Sequence, residues 1–242
     1  MSGRLAIEGT HNLRDIGGYP ALGGHTRAGQ LFRGDALTAV TATGAHDLAA
    51  LGIRVVIDLR SPLERSQDRS RSVLPGAVTI RLPLVGGSRS ALLDDEPLGI
   101  ESLYRQVLTN CGWTLTAAVS VIADSGSQPV LVHCTAGKDR TGLVVALALE
   151  AAGVERTAVV ADYTQSALNL DGAWIDEALT ALVSRGVPIS PALFEVLGGS
   201  PDHAMTGLLR WLDAHYGSVL GYLQAHGFLP GAQLALRAKL VV

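Results

Sequence analysis

The spacing of apolar positions changes along this chain, and the change predicts where strands give way to helices. Ile53-Arg-Val-Val-Ile-Asp-Leu59 is an almost continuous aliphatic run, which reads as a buried strand after a helix from about Gly44 to Leu51, with Gly52 in the connection. Val78-Thr-Ile-Arg-Leu82 and Pro129 to His133 read as further strands. Helical spacing covers roughly 101–109, 114–124, 140–152, 156–168, 173–185, 203–215 and 218–226, so strands gather early and helices late. The pattern predicts an α/β fold with a thick helical layer.

Between Pro129–His133 and the apolar run Leu143-Val-Val-Ala-Leu-Ala-Leu149, which Gly153 is placed to close, lies Cys-Thr-Ala-Gly-Lys-Asp-Arg-Thr-Gly at 134–142. Cys134 therefore sits in a loop that feeds a helix N-terminus, where unpaired backbone N–H groups and the positive end of the helix dipole converge. An anion suits that point, and the same field favours thiolate over thiol. Arg140, six positions on, has a planar fork fit to hold two phosphoryl oxygens, a geometry lysine cannot supply. Thr135, Ala136, Gly137, Lys138 and Asp139 complete the loop. Gly137 and Gly142 suit tight curvature, the Thr141 hydroxyl is placed to donate to the cysteine sulfur, and His133 to hydrogen-bond the loop backbone. The alternative, a packed structural cysteine followed by a solvated arginine, does not account for the joint presence of the Cys-x5-Arg-Thr spacing, the preceding histidine, the internal glycine and the flanking strand and helix.

His133-Cys-Thr-Ala-Gly-Lys-Asp-Arg-Thr-Gly142 resembles the signature of the cysteine-based protein tyrosine and dual-specificity phosphatases. Lys138-Asp139 narrows the resemblance to the atypical bacterial tyrosine/lipid phosphatases, the group that contains mycobacterial tyrosine phosphatase B. Asn12-Leu-Arg-Asp-Ile-Gly-Gly18, Leu31-Phe-Arg-Gly-Asp-Ala-Leu37, Leu51 to Ser61, Ala161-Asp-Tyr-Thr-Gln-Ser166 and Tyr216-Gly-Ser-Val219 look like motifs of the same group, in the same order. The resemblance implies a largely parallel central sheet flanked by helices and a phosphatase needing no cofactor. It implies a phosphorylated protein or a phosphoinositide as substrate, Lys138 favouring the latter as a second cation beside the phosphate. It also implies a helical lid within about 163–200. Spacing alone makes Trp174, Ile175, Leu179, Leu182, Val183, Phe194 and Val196 core residues instead, and both readings stand at this stage.

Cysteine attack requires an acid to protonate the leaving oxygen. Asp139 inside the loop is the preferred candidate, by its place beside Arg140 and by the resemblance; Asp58 at a strand end and Asp94 or Asp95 in a surface segment are the others. Asp139 as a helix-capping carboxylate and Asp58 as an ion-pair partner of Arg60 are the competing structural roles. Asn12, Arg14 and Asp15 read as anchors of an N-terminal turn, and the resemblance brings Arg14 near the active face, within reach of phosphate.

Composition trims the remaining options. With 48% hydrophobic and 17% charged residues over 242, the chain has material for one substantial core and no linker that divides it, so residues 1–242 read as a single domain. A net charge of −3 provides no general attraction for nucleic acid or membranes. Arg60, Arg65, Arg69 and Arg71 form a basic run that Glu64 and Asp68 dilute, so a solvated surface is expected there. The histidines other than His133 are scattered and no metal-ligand cluster is seen. Two cysteines make a disulfide framework improbable, Cys111 reading as a packed residue rather than a resolving partner. With no apolar leader or membrane-length run, the expected location is the cytoplasm, export without a classical signal remaining open. Two other functions compete: a rhodanese-type sulfurtransferase, against which Arg140-Thr141 argues, and a non-catalytic phosphoprotein or phosphoinositide-binding module, which would be expected to have lost Cys134 or Arg140.

Overall fold

The computed structural model describes residues 3–66, 73–84, 99–170, 172–184 and 197–242. Its main sheet has the order β1 (Arg14–Asp15), β4 (Leu31–Gly34), β7 (Val130–His133), β5 (Val55–Asp58), β6 (Val78–Arg81). β1 pairs antiparallel with β4 and the other pairings are parallel. A small hairpin, β2 (Pro20–Ala21) and β3 (Gly24–His25), stands apart. The helices are α1 (Ala42–Ala50), α2 (Pro62–Ser66), α3 (Ile100–Asn110), α4 (Gly112–Asp124), α5 (Asp139–Ala152), α6 (Arg156–Asn169), α7 (Gly172–Val183), α8 (Asp202–Tyr216), α9 (Val219–Ala225) and α10 (Ala232–Leu240).

β4, β7 and β5 are buried along their whole length, as parallel strands covered on both faces must be. Their side chains alternate between two cores: Leu31, Val55, Ile57, Val130 and Val132 join the large cluster under α3, α4, α5, α8, α9 and α10, whereas Phe32, Val56 and Leu131 join a smaller one with Leu13, Leu48 and Ile53. A slip of one residue would exchange the two sets, so the register is firmly specified. That register places Gly34 and Asp58 on either side of His133. The segments that follow all three strands therefore emerge together at the carboxyl edge of the sheet, where open α/β folds hold ligands.

α5 is hydrophobic on nearly every side and runs through the middle of the helical layer, ending at Gly153 in the left-handed conformation (φ 89°) that a Cβ resists. The strands read at 53–59, 78–82 and 129–133 are present, as are helices matching each range read from the spacing, to within about two residues. β4 was not expected as a strand, because Arg33-Gly34 interrupts its apolar run and only its neighbours make it β. α10 was missed as well: Gln233, Arg237 and Lys239 obscure a stripe of which Leu236 and Leu240 are the buried members.

One expectation about packing fails. Trp174, Ile175 and Leu179 on α7 are only half-buried and Val183 is 58% exposed, so the described residues of this helix are not core despite their spacing. Ile175 lies against Gly198. The Leu182 side chain, Phe194 and Val196 lie outside the described residues.

Candidate active site

The loop from Cys134 to Lys138 joins the central strand to α5, and its architecture follows from where its carbonyls go. Cys134 O faces His133 Nδ1 at 3.2 Å, Thr135 O accepts from Ala36 N (3.0 Å), and Ala136 O accepts from Asn12 Nδ2 (3.0 Å). Gly137 O and Lys138 O both accept from Arg33 Nη2, at 2.8 and 3.1 Å, and Lys138 O also starts the helix through Gly142 N (2.9 Å). Every peptide here is trans. In a planar trans peptide the N–H of the next residue points opposite to the carbonyl, so tying these carbonyls outward turns the N–H groups of Thr135, Ala136, Gly137, Lys138 and Asp139 toward the concave side. Such a nest of donors binds anions.

Gly137 is indispensable to that curve. Its φ is +69°, and a Cβ would lie 2.3 Å from the Gly34 backbone. Gly142 serves differently from the expected curvature role: it lies inside α5, where a Cβ would press on the Tyr163 ring at 3.2 Å and on Arg33.

Cys134 is 2% exposed, directly after the central strand. His133 is buried beside it; burial lowers its pKa below the usual imidazole value, so at neutral pH the ring is neutral and donates Nδ1–H to the Cys134 carbonyl. Arg140 meets Glu64 end-on, Nη1 to Oε2 at 2.8 Å and Nη2 to Oε1 at 2.7 Å, while the Thr135 hydroxyl donates to Oε1 (2.5 Å). Burial opposes both charges. It is outweighed: Arg140, with Thr135 and the Ser61 N–H, holds Glu64 well below the usual carboxylate range, and Cys134, Glu64 and Asp139 raise Arg140 above its ordinary value. Thr141 Oγ1 is buried and has no hydrogen-bond partner among the described residues, so the bond to the cysteine sulfur expected from sequence is not formed.

The acid candidates are placed unequally. Asp139 opens α5, 21% exposed, its Oδ1 accepting from Tyr104 Oη at 2.6 Å with Lys138 Nζ 3.5 Å away. Tyr104 Oη is in turn 2.8 Å from Tyr163 Oη, and burial raises both phenols, so Tyr104 stays protonated as a donor. Asp58 is enclosed by Arg60, which donates from N, Nε and Nη2 at 2.9, 3.0 and 2.9 Å; despite burial these contacts lower its pKa, as befits an ion-pair partner. Asp94, Asp95, Asp68, Arg69 and Arg71 lie outside the described residues. Lys138 is 1% exposed, its Nζ donating to Gly199 O at 2.7 Å.

Beneath the loop lies a fully buried polar cluster. Asp162 receives Arg14 Nε (3.0 Å), Arg33 Nη1 (2.6 Å) and Tyr19 Oη (3.1 Å), and its pKa falls below the carboxylate range because the two guanidinium charges outweigh burial. Arg14 also donates to Asn12, to Asp162 O and to Ser166 Oγ. Contact between Arg14 and phosphate, expected from resemblance, is not what the structure has: its fork is used up behind the loop. Asp15, by contrast, anchors the N-terminal turn as expected, through Gly17 N and Gly29 N. Arg33, Glu64, Tyr104 and Asp162 were not singled out from the sequence. A signal for one existed, since Ser61-Pro-Leu-Glu64 is a capping-box pattern, with Ser61 N on Glu64 Oε2 and Glu64 N on Ser61 Oγ.

Residues 5–242 match the profile of a family described as the tyrosine phosphatase family. The chain belongs to that family. Among relatives of this phosphatase, a Cupriavidus necator protein whose name places it with the tyrosine-protein phosphatases is 31% identical over 237 residues, 91% of this chain and 82% of that one. The triple specificity protein phosphatase PtpB of Mycobacterium tuberculosis is 30% identical over 276 residues, 97% of this chain and 98% of that one. Of solved structures, P. aeruginosa TpbA in complex with pTyr aligns at a TM-score of 0.32 and 17% identity over 66% of this chain and 90% of that one, too distant to bear on the site. Family membership removes the sulfurtransferase and the non-catalytic module as readings. Among the described residues of the phosphatase no group of three His, Cys, Asp or Glu side chains is placed to hold a metal, and no helix is long and apolar enough to cross a membrane.

Proposed function

We propose that this phosphatase hydrolyses phosphomonoesters through a phosphothiolate on Cys134, with Arg140 and the inward N–H groups of residues 135–139 holding the phosphoryl oxygens. The Cys134 sulfur attacks phosphorus, the P–O bond to the leaving group breaks, and Asp139 protonates the departing oxygen. Asp139, now a carboxylate, takes a proton from water, whose oxygen attacks phosphorus; the P–S bond breaks, returning the thiolate and releasing phosphate. A thiolate nucleophile needs no metal-activated water. The observation that carries this reading is the set of five successive loop carbonyls, Cys134 to Lys138, each tied outward, because it leaves the donors facing the cysteine.

Phosphotyrosine is the first substrate class, with phosphoserine and phosphothreonine next; the mycobacterial relative is named for a triple specificity. Phosphoinositides rank below these, since Lys138, the cation suited to a second phosphate, is buried against the Gly199 carbonyl. Asp139 is preferred over Asp58 as the acid because Arg60 already occupies the Asp58 carboxylate from three donors.

The protein should hydrolyse p-nitrophenyl phosphate in the presence of EDTA and be blocked by vanadate. Turnover persisting in Cys134→Ser, or abolished by EDTA, overturns the mechanism. For the acid, Asp139→Asn should slow an alkyl phosphate far more than an aryl phosphate with a good leaving group, and an equal effect on both removes the assignment.

A further inference from the structure

The carboxylate of Glu64 stands end-on against Arg140, the arginine proposed to hold the phosphoryl oxygens. Glu64 lies in α2, and the parallel pairing of β5 with β7 brings the start of that helix to the rim of the Cys134 loop. Both oxygens are fully engaged: Oε1 by Arg140 Nη2 and Thr135 Oγ1, Oε2 by Arg140 Nη1 and the backbone N–H of Ser61.

Two roles are conceivable for such a contact. A carboxylate that plugs the site would have to leave when phosphate arrives, whereas one that aligns the guanidinium would stay. Three features favour staying. The end-on contact uses the Nη1–Nη2 edge of Arg140, and the other recorded contact of Nη2 is a long one to Thr135 Oγ1 at 3.4 Å, so the Nε–Nη2 edge can still make two parallel bonds to phosphoryl oxygens. Glu64 is also held from behind by its own helix cap, so its departure would orphan the Ser61 N–H. Finally, Arg140 is 5% exposed, and Glu64 is its only ion-pair partner among the described residues, so withdrawing it before the substrate is seated would leave a largely buried charge uncompensated.

We infer that Glu64 is a positioning residue for the phosphoryl transfer: it fixes the plane of Arg140 so that its Nε–Nη2 edge faces the phosphate above Cys134. The inference rests on the Cys134 phosphatase reading. Glu64 touches no reacting atom and acts mainly through Arg140, its other contact with the loop being the Thr135 hydroxyl, with the Ser61–Glu64 cap coupling the start of α2 to the catalytic loop.

The test uses Glu64→Gln, which keeps an acceptor for the Ser61 N–H and removes the charge, alone and combined with Arg140→Lys. In Glu64→Gln, kcat on p-nitrophenyl phosphate should fall about 10- to 100-fold, the scale of a misaligned catalytic group, with KM changing less. Inorganic phosphate, followed by calorimetry, should bind more weakly while the thermal midpoint falls only modestly, the Glu64 side chain being 22% exposed. In the Arg140→Lys background the second substitution should add no further loss, because two residues acting as a unit are not additive. Tighter phosphate binding with kcat maintained overturns the inference in favour of a plug, and an additive loss overturns it in favour of a general structural role. If the parent protein fails to hydrolyse the aryl phosphate, the phosphatase mechanism is what fails; phosphate affinity then still reads the contact, weaker in Glu64→Gln supporting it and unchanged or tighter overturning it.

Discussion

Two arginine–carboxylate systems flank the same loop, and they differ in almost every respect except chemistry. At the rim, Arg140 meets Glu64 in a single pair whose side chains are 6% and 22% exposed. Below the loop, Arg14 and Arg33 share the one carboxylate of Asp162 at 0% and 2% exposure. The lower system carries one more positive than negative charge, offset by the carbonyls of Asn12, Gly137, Lys138 and Asp162. Its effect is to fix backbone, because the Gly137 and Lys138 carbonyls that Arg33 captures turn amides toward the anion site. The rim pair fixes a side chain. Burial thus separates a charge that shapes the loop from a charge that meets the substrate.

Removing the shared carboxylate should have the largest effect. Asp162→Asn leaves two buried guanidinium groups without a counter-charge, and the loss of one partner of a buried pair typically destabilises by about 3–5 kcal/mol. Urea denaturation should show that loss, whereas Glu64→Gln, at the more exposed rim, should lose clearly less. A Glu64→Gln variant as unstable as Asp162→Asn would erase the distinction between rim and floor.

Next in size is the contrast between the two lower arginines. Both bind Asp162, but only Arg33 reaches the loop carbonyls. Arg33→Met should therefore lower kcat about 100-fold through disoriented amides, with weaker vanadate binding. Arg14→Met should reduce stability with a smaller loss of turnover in the fraction that remains folded. Equal losses of vanadate affinity in the two variants would mean that the carbonyl contacts do not shape the anion site.

What could be read from the sequence follows the same division. The Cys134 loop was legible because its signals are local: a strand, a Cys-x5-Arg spacing, an internal glycine and an apolar helix lie within about two dozen residues. The lower cluster was not, since Arg14, Arg33 and Asp162 are far apart in the chain and each looks like an ordinary solvated charge; only the parallel pairing of β4 with β7 brings Arg33 under the loop. Glu64 was read as diluting a basic run because a capping-box pattern announces a helix start and says nothing about which distant arginine that start will face. α7 misled for the opposite reason. Its apolar spacing is regular, yet its described residues lie on the surface, because periodicity reports a preference for burial and not what is available to cover it.

Tyr104 lies between the two systems, donating to Asp139 at the rim and touching Tyr163, which follows Asp162 directly in α6. Tyr104→Phe removes a donor from the Asp139 carboxylate, which should lower kcat on an alkyl phosphate about tenfold or less and leave an aryl phosphate with a good leaving group nearly unaffected. Equal losses on the two substrates would detach Tyr104 from Asp139 function.

The smallest expected effect concerns His133, whose neutral ring braces the Cys134 carbonyl from the side. Burial lowers its pKa below the reference value of 6.5. Below that pH the unfolded chain takes up a proton that the folded one resists, so unfolding is increasingly favoured as pH falls from 6.5 toward the folded value, and no further loss arises below it. Asp35 works against this trend. Burial raises its carboxyl above the ordinary range in spite of the His11 and Asn12 amides, so the folded state binds that proton more readily and gains relative stability as pH falls. The two are separated by His133→Asn, whose side-chain amide can donate to the same carbonyl but does not titrate. Between pH 7 and 5 the midpoint of urea denaturation should decline less in His133→Asn than in the parent. Parallel declines would assign the acid sensitivity elsewhere and leave His133 as a hydrogen-bond donor that does not change protonation state on unfolding in that range.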